Sequence, residues 1–173
     1  KAWLLRCMEV YAAQVDRMPK IAPERMVTLM ELIGLADGGA PITVVLAPED
    51  HLFARGVPRP ISGYAVADRD LAVLLPERVP GYPYDSLDEV LMHEVTHLFA
   101  ARATGGRRTP RWWNEGIALH ASRAWSFEDR SRVLLGAVSG VTDTATLERA
   151  FDRGDQQSSA AYAISGALVQ HLV

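Results

Sequence analysis

The segment His93-Glu94-Val95-Thr96-His97 constrains this chain more than any other, because its two imidazoles can share one ion only where the backbone is helical. At 3.6 residues per turn, a spacing of four returns His97 to within about 40° of His93, so both rings project from one face. Glu94 is turned about 100° from His93 and stands beside that face, where a base acting on metal-held water must be. The flanking residues supply the helix. Ser86 with Glu89 three positions on reads as a capping box, and Leu87, Val90, Leu91, Val95, Leu98 and Phe99 line one broad apolar face. The helix is expected to run from Ser86 to Gly105-Gly106.

The remaining texture divides around it. Trp3, Leu4, Met8, Tyr11 and Val15, then Met26, Leu29, Met30, Ile33 and Leu35, show helical spacing broken by Pro19 and Pro23 and stopped by Gly38-Gly39, which predicts two helices in the first forty residues. Residues 42–46, 63–67 and 71–75 read as strands, with Asp68-Arg69-Asp70 as a hairpin turn between the last two, giving a sheet of three or four strands. The second half is almost wholly helical: Thr109-Pro110 opens a helix to about Ala124, Ser126 caps another, and Ser158 or Ser159 caps the last. The expected fold class is α+β, a small mixed sheet packed on the H-E-x-x-H helix, with a mostly helical lobe after it. At 173 residues, 49% of them apolar and 23% charged, one domain with a substantial core is expected over 1–173, with lobes at 1–104 and 105–173.

Charge and composition exclude several classes. A net charge of −3 with no basic run offers no footprint for nucleic acid. The apolar stretches are too short to span a bilayer, and nothing at the N-terminus reads as a signal peptide. The lone Cys7 cannot form an internal disulfide. Because the chain begins without Met and stops inside an apolar, helix-like run, it is expected to be an excised or processed piece, compatible with a secreted or cell-envelope protein whose targeting segment lies elsewhere.

Catalytic zinc takes three protein ligands and leaves one position for water. No further histidine stands at a metzincin-like spacing after His97. His51, His120 and His171 are read as non-ligands. Beyond the Gly105-Gly106 pair comes Pro110-Arg111-Trp112-Trp113-Asn114-Glu115-Gly116-Ile117-Ala118, with Glu115 in the first turns of the next helix. A loop of about ten residues allows two helices to lie antiparallel, which makes Glu115 available as a third donor.

H-E-x-x-H with W-x-N-E-G-x-A downstream resembles the gluzincin clan of metallopeptidases, especially the peptidase MA-like families and the catalytic domain of leucyl-type aminopeptidases. The resemblance implies a zincin-like fold, one Zn2+ per chain held by His93, His97 and Glu115, Glu94 as general base, and hydrolysis of a peptide or protein substrate. The stretch from Tyr162 to Val169 looks like the clan helix that supplies a tyrosine hydroxyl to the tetrahedral intermediate, which assigns that role to Tyr162, although the clan's Y-E-K-G is here Tyr162-Ala163-Ile164-Ser165.

Two departures refine the expectation. The aminopeptidases carry a G-x-M-E-N strand whose Glu anchors the free amino group; here Gly63-Tyr64-Ala65-Val66-Ala67 has no carboxylate, so an endopeptidase is expected, with Gly63, Tyr64 and Ala65 offering backbone to an extended peptide. Thermolysin-like members place an Asp four residues after the ligand Glu; here that position is Leu119, and Glu89 or backbone carbonyls are expected to orient the ligands instead. Two other readings stand beside this one. The chain could be an inactive zinc-binding, peptidase-like scaffold that presents a cleft to a protein partner, or a metal-free helical interaction domain.

Overall fold

The computed structural model describes residues 6–9, 18–153 and 156–173. It is a mixed α+β chain that divides into two compact units, Lys1–Arg107 and Arg108–Val173.

Among the described residues, the first unit is a four-stranded sheet with two α-helices. Strands β1 (Arg6–Glu9), β2 (Thr43–Leu46), β3 (Gly63–Val66) and β4 (Leu71–Leu74) lie in the order β1-β2-β4-β3. β1 and β2 are parallel, β2 and β4 are parallel, and β3 runs antiparallel to β4 as an edge strand. The expected turn at 68–70 is a 3-10 turn over Ala67–Arg69, closed by Asp70 at φ 47°, a left-handed conformation that Asp tolerates. One expectation is overturned: the helix drawn through Met8 is a strand at Arg6–Glu9, because pairing with β2 outweighs a weak local helical spacing. The rest of that expected helix lies outside the described residues. The second expected helix is α1 (Pro23–Ile33), which starts on Pro23 and ends at Gly34, φ 78°, four residues before the Gly38-Gly39 pair.

β2 and β4 are buried along almost their whole length, as strands covered on both faces must be. Val45, Ala47, Val73 and Leu75 pack with Ala54, Phe53, Val57 and Tyr64 on one face. By alternation Val44, Leu46, Ala72 and Leu74 take the other face. The H-E-x-x-H helix, α2 (Leu87–Ala103), packs on β3 and β4. Val90, Leu91, Met92, Val95, Leu98 and Phe99 are each at most 1% exposed, and such burial is worth about 1.5–3 kcal/mol per side chain. Arg102, near the helix end, bonds Asp70 and the carbonyls of Gly38 and Ala40, which fixes α2 to the loops that enter β2 and β4. Arg78 gathers the loop before β3, donating to Glu49 at 2.7 Å and to the carbonyls of Pro58 and Ile61 at 2.8 Å.

The second unit is helical: α3 (Arg111–Ser122), α4 (Phe127–Val138), α5 (Thr144–Ala150) and α6 (Gln156–Leu172). α6 packs against the other three, and small residues set the approach. A Cβ at Gly116 would stand 2.4 Å from the Ser165 carbonyl oxygen, so α3 meets α6 at this distance only through glycine. Ser126 caps α4 in a reciprocal box with Asp129. The expected Thr109 cap of α3 is replaced by a tertiary one: the helix begins at Arg111, and the Trp112 amide donates to Glu148 Oε1 of α5 at 3.1 Å. Among the described residues, no helix is long and apolar enough to cross a membrane.

Candidate metal centre

The helix that carries the motif starts where the sequence places its cap. Ser86 Oγ accepts the Glu89 amide at 3.3 Å, and Glu89 Oε2 accepts the Asp85 amide at 2.7 Å. Glu89 is thus used at the helix N-terminus, favoured there by the helix dipole, and does not serve as the expected orienting partner of His93.

Two turns on, His93 and Glu94 are 3% and 4% exposed and His97 is half-buried. The Nε2 atoms of His93 and His97 face each other at 3.0 Å, with the rings nearly perpendicular at 88°. Two zinc–imidazole bonds of about 2.0–2.1 Å meeting near the tetrahedral angle would hold their nitrogens about 3.3 Å apart, so this pair is set close to a chelating geometry. Glu115, the third donor the sequence suggests, stands in the second turn of α3, in the second unit. Two imidazoles and one carboxylate make the N/O donor set that zinc accepts in catalytic sites, where three protein ligands leave a position open.

The local surroundings orient these donors. Tyr84, 7% exposed, meets the His93 ring edge-on with centroids 5.0 Å apart. It is held by a closed turn in which Gly81 and Tyr84 exchange both backbone hydrogen bonds at 2.8 and 2.9 Å. Sequence reasoning missed Tyr84; the run Pro80-Gly81-Tyr82-Pro83-Tyr84 signals a turn, and its contact with His93 is tertiary. On α3, Arg111 lies 4.0 Å from Glu115 Oε1, one turn apart on the same helix, and also rests over the Phe151 ring and bonds Asp152.

The other residues singled out in the sequence have varied placements. Gly63, Tyr64 and Ala65 open the edge strand β3. The Tyr64 ring packs with the cluster around Val45 and Val73, its hydroxyl donates to the Phe53 carbonyl at 3.0 Å, and burial pushes its pKa up. That side chain is committed to the fold, so only its backbone is offered at the strand edge. Tyr162 packs edge-on against Phe151, centroids 5.2 Å apart, beside the core of Val141, Leu147 and Ala161. His51 caps the 3-10 turn at Leu52–Ala54 by accepting the Phe53 amide, a structural use. His120 and His171 are exposed. Comparison of the chain with protein-family models, curated proteins and solved structures finds no match.

Proposed function

We propose that this chain is a zinc-dependent peptidase of the gluzincin type, cutting internal peptide bonds with Glu94 as general base. The observation that carries the reading is the convergence of His93 and His97 Nε2 on one point, with a buried glutamate between them in the sequence; Glu115 is the third ligand by the resemblance of its motif. The H-E-x-x-H and W-x-N-E-G-x-A motifs point to the same chemistry by resemblance. A structural zinc site would call for four ligands, usually rich in Cys, and would have no use for a carboxylate in the position of Glu94.

Bound zinc supplies a Lewis acid that polarises the scissile carbonyl and lowers the pKa of a water it holds to about 7. The chain does the rest. Glu94 accepts a proton as the water oxygen bonds to the carbonyl carbon, and gives it to the amine nitrogen as the C–N bond breaks. Tyr162 donates its hydroxyl hydrogen to the developing oxyanion, the role its resemblance assigns. The outer edge of β3, at Gly63, Tyr64 and Ala65, pairs by backbone with an extended peptide and aligns the bond to be cut.

The test is metal content by mass spectrometry on native and His97→Ala protein, with cleavage of an unstructured protein substrate in the presence and absence of chelator. One zinc per chain, lost in the variant, and chelator-sensitive cleavage are expected. Zinc without cleavage would favour a peptidase-like scaffold that binds a partner, and no metal at all would remove the proposal.

A further inference from the structure

Gly63 stands where the sheet meets the face of α2 that carries Glu94. Its φ lies outside the left-handed region, so torsional freedom does not explain a glycine there. Space does. A Cβ built on Gly63 would lie 2.7 Å from Val90 Cγ1, 3.1 Å from Glu94 Oε1 and 3.1 Å from the Val73 carbonyl oxygen. Val90 and Glu94 are one turn apart on α2, so both side chains reach toward the start of β3. Real Cβ atoms essentially never approach another heavy atom to 2.7 Å, and a contact of 3.1 Å is met only when the neighbour yields by a few tenths of an ångström. Val73 contributes backbone inside the sheet and is fixed. The partners able to yield are the Val90 methyl and the Glu94 carboxylate.

We propose that Gly63 is a positioning residue for Glu94: its missing side chain reserves the space the carboxylate occupies, and any larger residue displaces the base from its working position. The role of Glu94 as a base rests on the proposed function; the spatial claim does not. Any side chain at position 63 is expected to push the carboxylate aside by a few tenths of an ångström; since a misplacement near 1 Å at a reacting group costs about 100-fold, this smaller shift should lower turnover by about 3- to 10-fold.

Gly63→Ala and Gly63→Ala/Val90→Ala separate this role from a general effect on packing. The second substitution removes the methyl behind the 2.7 Å clash and leaves the approach to Glu94 in place. In the single variant, kcat on an unstructured protein substrate is expected to fall about 3- to 10-fold with KM changed less than about two-fold and one zinc retained per chain. In the double variant the melting temperature should recover relative to Gly63→Ala while kcat stays low. Recovery of kcat together with stability would overturn the proposal, since strand–helix spacing alone would then explain the glycine. Unchanged kcat in Gly63→Ala would overturn it as well. A crystal structure of Gly63→Ala supplies a readout independent of turnover: the Glu94 carboxylate should be rotated from its native position, and finding it in place would refute the claim. If native protein binds zinc and cleaves nothing, the peptidase reading fails, and that crystal structure still decides the role of Gly63.

Discussion

Glu94 is buried, immediately follows His93, and is closely approached by β3. Gln at this position fills the same space and presents no basic oxygen. Glu94→Gln is therefore expected to reduce cleavage by about 10²- to 10⁴-fold while one zinc per chain remains, measured as metal content and initial rate on the same sample. Zinc loss from that variant would show that Glu94 is a ligand and not the base. At this scale the sequence is legible wherever the chemistry depends on spacing along a helix. His93 and His97 converge as a four-residue repeat requires. Tyr84 is invisible in the sequence because its contact with His93 depends on a turn folding back onto α2, and no local rule encodes that. Gly63 reads in the sequence as strand backbone, whereas its close approach to Glu94 emerges only when sheet and helix are packed.

Asp129 anchors the first turn of α4 and shows how an element can carry a pH dependence of its own. Burial alone would raise its pKa; hydrogen bonds from Arg123 and from the Ser126 amide and hydroxyl, with the Arg123 charge, outweigh burial and lower it from 3.8 to about 2. Because the folded value lies below the unfolded one, the stabilisation is present above about pH 4 and is lost as pH falls toward 2. Its full size is on the order of 2 kcal/mol. Asp129→Asn should flatten that part of the acid limb in denaturant titrations between pH 5 and 2, and an unchanged limb would refute the assignment. The capping residues behind α2 and α4 are readable, since Ser86 and Ser126 act within four residues of themselves. The start of α3 is not, because Glu148, distant in sequence, takes the place of a local cap. β1 escapes local rules for the same kind of reason: its partner is some forty residues away at Thr43–Leu46, and pairing decides its conformation. The short helix α5 goes beyond what the sequence reading anticipates, although Asp143 caps it in a reciprocal box with Thr146.

For the molecule as a whole, metal binding and folding are linked only to the extent that the native chain holds the ion and the unfolded chain does not. The α2–sheet core rests on Phe99, Leu98, Leu91 and the buried strands, none of which is a proposed ligand. The metal-free chain is therefore expected to stay folded, unlike a zinc finger, which loses its structure with its ion. It should nonetheless be less stable. At zinc about 1,000-fold above Kd the linkage is worth about 4 kcal/mol, and in a chain of 173 residues each kcal/mol moves the melting temperature by roughly 2–4 °C. Chelation should thus lower the melting temperature by roughly 8–16 °C in calorimetry while the far-ultraviolet circular dichroism at about 20 °C is retained. Glu115→Ala, lacking one donor, should melt near the chelated value and respond little to further chelator. Outright unfolding of the native chain on chelation would reassign the metal from catalysis to structure, and an unchanged melting temperature would mean that His93, His97 and Glu115 do not hold one.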